Sequence, residues 1–166
     1  MKTKLLVLLT LLSVFYSNAQ TFYDLNTIQT IEITFAQSNW DALLDAAEAT
    51  DAYIEAQSVT INGATYNTVG VKYKGNSSYN ASNVKNPWHI ELDTYVDQNY
   101  QGYTDIKLSN VYFDPSFVRE ALGFKILGNY MDAPKANYAK VYVNGALIGL
   151  YTNVESISKK FVEDRF

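Results

Sequence analysis

The sequence predicts an α+β fold built from antiparallel hairpins around one main helix, and three observations carry that prediction. Two Asn-Gly pairs, Asn62-Gly63 and Asn144-Gly145, each separate two stretches of strand character, and Asn-Gly tolerates positive φ at both centres of a tight hairpin turn. Period-two alternation recurs in Trp88–Asp93 and in Asp105–Ser109. Asp114-Pro115 then opens the longest helical segment, with Asp114 as cap and Pro115 in the first turn.

Taken in order, Thr27–Phe35 reads as a strand, and Ser38-Asn39-Trp40-Asp41 has a capping-box pattern. Ser38 is the expected cap and Asp41 the acid that reaches back, opening a helix through about Ala49. Ile54–Ile61 and Ala64–Lys74 are the arms of the first hairpin. In the second arm Val69, Val71 and Tyr73 share one face, so Lys72 and Lys74 are expected on the other, outward or in a cleft. Gly75–Asn86 is a polar loop rich in Asn and Ser. In the next two strands Trp88, Ile90, Leu92, Ile106 and Leu108 should face the core and Lys107 should face outward.

The main helix is expected to run from Asp114 to about Tyr130. Ser116, Arg119, Glu120 and Gly123 form its narrow polar strip, so it should be packed on most of its circumference. Tyr138–Val143 and Leu147–Asn153 flank the second turn, and Ser156 or Ser158 starts a last helix. That helix stops without a C-terminal cap, and its Phe161 and Phe166 need a surface to bury against, so the chain is expected to end inside its domain.

Composition narrows the chemistry. A chain of 166 residues that is 48% hydrophobic and carries 14 Tyr, 8 Phe and 2 Trp is a folded domain and not a disordered one. Zero Cys excludes disulfides, thiolate metal sites and thiol nucleophiles, and one His, His89, excludes multi-His metal sites. The formal net charge of −4 argues against a broad grip on nucleic acid.

Lys2 and Lys4, the apolar run Leu5–Phe15 and the small residues before Gln20 read as a cleavable secretory signal over residues 1–19. The apolar run of about eleven residues falls short of the roughly 20 that a spanning helix needs, so the mature chain, residues 20–166, is expected to be exported without a membrane span.

Four stretches, in order, resemble the CotH kinase family, the spore-coat-protein-H-like atypical protein kinases. They are Val69-Gly70-Val71-Lys72-Tyr73-Lys74-Gly75-Asn76-Ser77; Pro87-Trp88-His89-Ile90-Glu91-Leu92-Asp93; Asp114-Pro115-Ser116 with Arg119-Glu120; and Val141-Tyr142-Val143-Asn144-Gly145 with Gly149-Leu150-Tyr151 and Val154-Glu155. His89 stands where the family usually has Lys or Arg. The resemblance implies a β-rich, kinase-like N-terminal lobe that ends before its C-terminal lobe, with ATP and a divalent metal such as Mg²⁺ as cofactors. It also implies a secreted or cell-surface protein as substrate, phosphorylated on Ser or Thr. The Asp residues that hold the metal are then expected outside this chain, and this chain alone is expected to be inactive.

Under that resemblance Lys74 and Glu120 are the catalytic candidates, with Lys72 as the second candidate partner of Glu120. Lys72, Gly75, Asn76, Ser77 and Ser78 would cover the nucleotide phosphates, since small residues free backbone N–H groups there. Glu155 would mark the hinge where backbone groups meet the adenine edge. Each has a plainer reading: a solvated loop, a surface Arg119–Glu120 pair, and a helix-entry acid. No Gly-x-Gly-x-x-Gly or Gly-Lys-Ser/Thr motif occurs, no nucleophile elbow accompanies His89, and Asp93 and Asp97 are too sparse for a calcium loop. The alternative function is a non-catalytic extracellular binding or adhesion module with a degenerate kinase-like fold.

Overall fold

A computed structural model describes residues 21–166, so the expected signal segment lies outside the described residues. Seven strands close into a barrel in the order β1-β2-β3-β4-β5-β7-β6, which makes the fold α+β as expected. The strands are β1 (Ile28–Thr34), β2 (Ile54–Ile61), β3 (Ala64–Tyr73), β4 (Trp88–Glu91), β5 (Asp105–Ser109), β6 (Ala136–Val143) and β7 (Ala146–Glu155). Among the described residues three helices accompany them: α1 (Trp40–Glu48), α2 (Arg119–Leu127) and α3 (Lys159–Glu163).

Both Asn-Gly hairpins form, β2–β3 and β6–β7, with φ of 49° and 88° at Asn62 and Gly63 and 47° and 81° at Asn144 and Gly145. Both turn asparagines also clamp β1. Asn62 N–H donates to Thr30 O (2.9 Å) while its Oδ1 accepts from Thr30 N–H (2.9 Å). Asn144 N–H donates to Ile33 O (2.9 Å) while its Oδ1 accepts from Phe35 N–H (2.8 Å). β1 pairs antiparallel with β2 and parallel with β6, from Ile28 beside Tyr138 to Ile33 beside Val143, and that parallel seam closes the barrel.

The interior follows the alternation. Trp88, Ile90, Leu92, Ile106 and Leu108 are fully buried, with Ile31, Val59, Ile61, Val71 and Val141 facing them. A fully buried aliphatic side chain contributes about 1.5–3 kcal/mol, so these positions hold the barrel. Trp88 Nε1–H meets its need for an acceptor at Tyr151 OH (3.1 Å), and Trp40 of α1 packs on Phe35 and Trp88 with centroids 5.8 and 5.9 Å apart.

Several expectations are corrected. The capping box does not form: Asn39 occupies the N-cap position of α1 with no side-chain cap bond, and Asp41 instead accepts from Tyr73 OH (2.5 Å). The main helix begins at Arg119 rather than Asp114, because Phe117 takes φ of 62° and interrupts the helical path. Asp114 still hooks the helix start, accepting from Ser116 N–H (3.0 Å) and Arg119 N–H (2.8 Å). Nor is α2 packed on most of its circumference, since Ala121 is its buried residue while Leu122, Ile126 and Leu127 are about half exposed. Of the last two phenylalanines, Phe161 is buried and Phe166 is 85% exposed.

Candidate functional site

The outer face of β3, β4 and β5 is polar because the same alternation that sends apolar residues inward sends Lys72, His89, Asp105 and Lys107 outward. Strand pairing puts Lys72 beside His89 and His89 beside Lys107. Ser109 lies at the far end of the same face of β5, and α2 delivers Glu120 to it.

Lys74 follows β3 at that end, its N–H donating to Pro87 O (3.0 Å). Burial pulls its ammonium below the usual lysine range, the charge of Glu120 opposes that shift, and Lys107 adds to it. Glu120 mirrors this. Burial pushes its carboxyl up, against a hydrogen bond from Ser109 Oγ–H (3.1 Å) and the charge of Lys74. The two expected catalytic residues thus feel one another's charge, yet no direct ion pair joins them among the described residues.

The loop after Lys74 is built rather than loose. Gly75 has φ of 94°, and a Cβ there would stand 2.6 Å from Ser78 Oγ, so the turn needs glycine on both counts. Asn76 and Ser77 are exposed at its tip. Ser78 O accepts from Asn110 Nδ2–H (2.8 Å), and Ser78, Ser109, Asn110, Tyr112, Phe113 and Glu120 line a cavity of about 280 Å³. Of the expected loop residues, Ser78 shares this hollow with Glu120.

Two candidates are placed differently. Lys72 lies on the outer face as expected, but it is 9% exposed, bonded to Asp51 Oδ1 (2.7 Å) and lying 4.4 Å above the Tyr53 ring, so it is not free to cover phosphates. The connection between α1 and β2 folds over it, so its charge is already met. Glu155 sits at the opposite end of the β5–β7 ladder from Ser109. Its carboxylate is wholly buried and binds Arg165 Nη2 (2.5 Å), Tyr103 OH (3.2 Å) and Lys135 N–H (3.0 Å), while its own N–H donates to Lys135 O (2.8 Å). Glu155 holds α3 to the barrel, and its carboxylate and N–H are both used within the protein.

Sequence reasoning passed over a network beside Lys74. Asp105 Oδ1 lies 2.7 Å from His89 Nε2, its Oδ2 accepts from Ser156 Oγ–H (2.5 Å), and Lys107 donates to Ser156 Oγ (2.8 Å). Burial works against the Asp105 charge, but His89, Ser156 and Lys107 together hold its carboxyl down at about 2. Tyr53 stands edge-on to His89, centroids 5.6 Å apart. The signal was in the alternation of Asp105, Lys107 and Ser109; what it lacked was the placement of β4 and β7 on either side of β5.

Among the described residues no group of three or more His, Asp or Glu side chains could hold a metal ion, so the residues present do not by themselves fit a divalent metal. No described helix is long and apolar enough to cross a membrane.

Comparison with known proteins bears on the same region. The chain is 31% identical over 100 residues to the inner spore coat protein H of Bacillus subtilis (strain 168), an alignment covering 58% of this chain and 26% of that protein. The chain thus spans about a quarter of the length of the curated relative it matches. Residues 71–166, which contain the loop, the outer face and Glu120, match the family model described as CotH kinase protein, and the chain belongs to that family.

Proposed function

We propose that this chain is the nucleotide-handling, kinase-like N-terminal lobe of an exported atypical protein kinase, which transfers the γ-phosphate of ATP to Ser or Thr of a secreted or surface protein. The observation that carries the reading is the Lys74–Glu120 arrangement. Two opposite charges, both drawn out of water by burial, feel one another without forming an ion pair, and Glu120 reaches the hollow beside the loop. Such a pair is poised for a third charged group, and the phosphates of a nucleotide fit between them.

In this reading the Lys74 ammonium binds phosphate oxygen and Glu120 orients Lys74. The exposed tip at Asn76 and Ser77, with Gly75 and Ser78, covers the phosphates through backbone N–H and hydroxyl donors. Lys107, steadied by Asp105 and Ser156, adds a second positive charge along the same face. Lys72 supports the sheet from beneath Asp51 rather than touching the nucleotide. A divalent metal, when bound, supplies charge neutralisation to the phosphates, and its ligands belong to residues beyond the described set. The lobe by itself binds and orients without turning over.

Calorimetric titration with MgATP tests the reading. Saturable binding that is lost in Lys74→Met and weakened in Glu120→Gln is the expected result, and heat that is unchanged in both variants would sink it. A second reading, a non-catalytic binding module, draws on the exposed Tyr112–Phe113 pair, whose rings meet edge to face 4.5 Å apart. Absence of any nucleotide binding would favour it.

A further inference from the structure

The loop that Lys74 opens ends in a second unusual lysine, Lys85. Asn110 joins the two arms of that loop, donating from Nδ2 to Ser78 O (2.8 Å) and to Lys85 O (3.1 Å). The neighbouring Asn86 is fully buried, accepting from Asn80 N–H (2.9 Å) and donating to Asn83 O (2.6 Å) and Asn80 O (3.1 Å). Lys85 therefore rises from backbone that is held on both sides.

Its side chain is held as firmly. The stem crosses Gly149 so closely that a Cβ there would meet Lys85 Cε at 3.0 Å and Cδ at 3.3 Å. The ammonium stands 4.8 Å from the centroid of Phe117 and 5.4 Å from that of Tyr151. Phe117 reaches this place only by adopting φ of 62°, rare for an aromatic residue, behind the Asp114 hook.

What the ammonium lacks is an acid. Lys72 has Asp51, Lys107 has Asp105, and Lys159 and Lys160 have the acids one turn on. Among the described residues no carboxylate and no hydrogen-bond acceptor meets Lys85 Nζ, and burial lowers its proton affinity with nothing to offset it. Ring faces attract a cation but accept only weakly the hydrogen bonds that an ammonium offers.

We propose that Lys85 is a second anion-binding cation, bound by a phosphate-type oxyanion at the C-terminal end of the Gly75–Asn86 loop. The identity of the anion as a polyphosphate rests on the nucleotide reading above; the unpaired charge of Lys85 between Phe117 and Tyr151 does not. The loop's two ends meet where Lys74 N–H donates to Pro87 O (3.0 Å), so Lys74 and Lys85 both rise near its base, which suits a chain of phosphates better than a single one.

The test uses the full chain titrated with tripolyphosphate and, separately, with MgATP, in the native protein, Lys85→Met and Lys74→Met. Methionine keeps the stem over Gly149 and the contact with both rings, so Lys85→Met should melt within a few degrees of the native protein. It should bind tripolyphosphate about tenfold or more weakly, the loss expected for one charge-assisted hydrogen bond. If Lys85→Met binds tripolyphosphate as tightly as the native protein while Lys74→Met does not, Lys85 is only a plug and the nucleotide reading stands. If Lys85→Met loses tripolyphosphate and Lys74→Met keeps it, Lys85 stands and the Lys74 reading falls. Should Lys85→Met not fold, acylation of surface amines in the native chain decides the matter. Tripolyphosphate should protect Lys85 from the reagent, and equal labelling with and without it overturns the proposal.

Discussion

Lys72 inside β3 and Lys74 just past its end stand two residues apart, and the chain treats them in opposite ways. Over Lys72 the connection between α1 and β2 lays Asp51, held at φ of 55°, and Tyr53, so the cation is paired and covered. Lys74 is drawn out of water by burial as well, but no acid pairs with it: the opposing charge of Glu120 arrives from α2 without forming an ion pair. Position on a strand face therefore says where a lysine points but not whether its charge is spent. That depends on whether an acid reaches it, and the lysine without an ion pair is the one the proposed nucleotide reading uses.

Substitutions can break or sharpen this contrast. The largest effect is expected at the fully compensated extreme, Glu155 with Arg165. Arg165→Met leaves a buried carboxylate without its counter-charge, held by Tyr103 OH and Lys135 N–H. It should lower stability by about 3–5 kcal/mol, read by urea unfolding, because an unpaired buried charge is costly. Next comes Lys74→Met, which should weaken MgATP binding by about 1.5–3 kcal/mol in calorimetry and leave the urea midpoint near its native value. A cycle with Glu120→Gln should show the two residues coupled, and additive losses would mean that they act separately.

The third effect is a pH dependence from Asp105. Its carboxyl is held at about 2 in the folded chain, below the unfolded value of about 4, so the stability it adds is complete above about pH 4 and is lost as pH falls toward 2. The loss should be about 2 kcal/mol, and it should vanish from the acid unfolding curve of Asp105→Asn. The smallest effect belongs to Lys72→Met. Asp51 is left at the surface where water solvates it, so stability should change by less than about 1 kcal/mol and MgATP affinity should hold. A loss of affinity there to match Lys74→Met would erase the distinction between the two lysines.

Much of this was legible in the residues. Asn-Gly turns, inward-facing Trp88 to Leu92 and outward-facing Lys107 follow from local stereochemistry, and so does the loop that starts at Gly75. Lys74 and Glu120 are named by the family resemblance, and the structure brings them near enough to feel one another's charge. What escaped depends on segments distant in sequence. Barrel closure needs Ile28 beside Tyr138. The burial of Lys72 needs an aspartate from a loop in the left-handed region, and the retirement of Glu155 needs Arg165 to fold back over Phe161. The late start of α2 turns on one dihedral at Phe117 that no periodicity records.

The brackets that Asn62 and Asn144 place on β1 have a practical meaning for anyone trimming this protein. A closed barrel has no free strand edge, and β1 is the stave that removes the last two, one on β2 and one on β6. A fragment cut to residues 71–166, where the family match begins, would lose β1, β2 and most of β3 together. β4 and β6 would then stand open, each offering a row of unpaired N–H and C=O groups to the next molecule. Such a piece would keep Lys85, Lys107 and Glu120 and still gather into aggregates, whereas a chain that retains residues from Ile28 onward keeps its rim sewn shut.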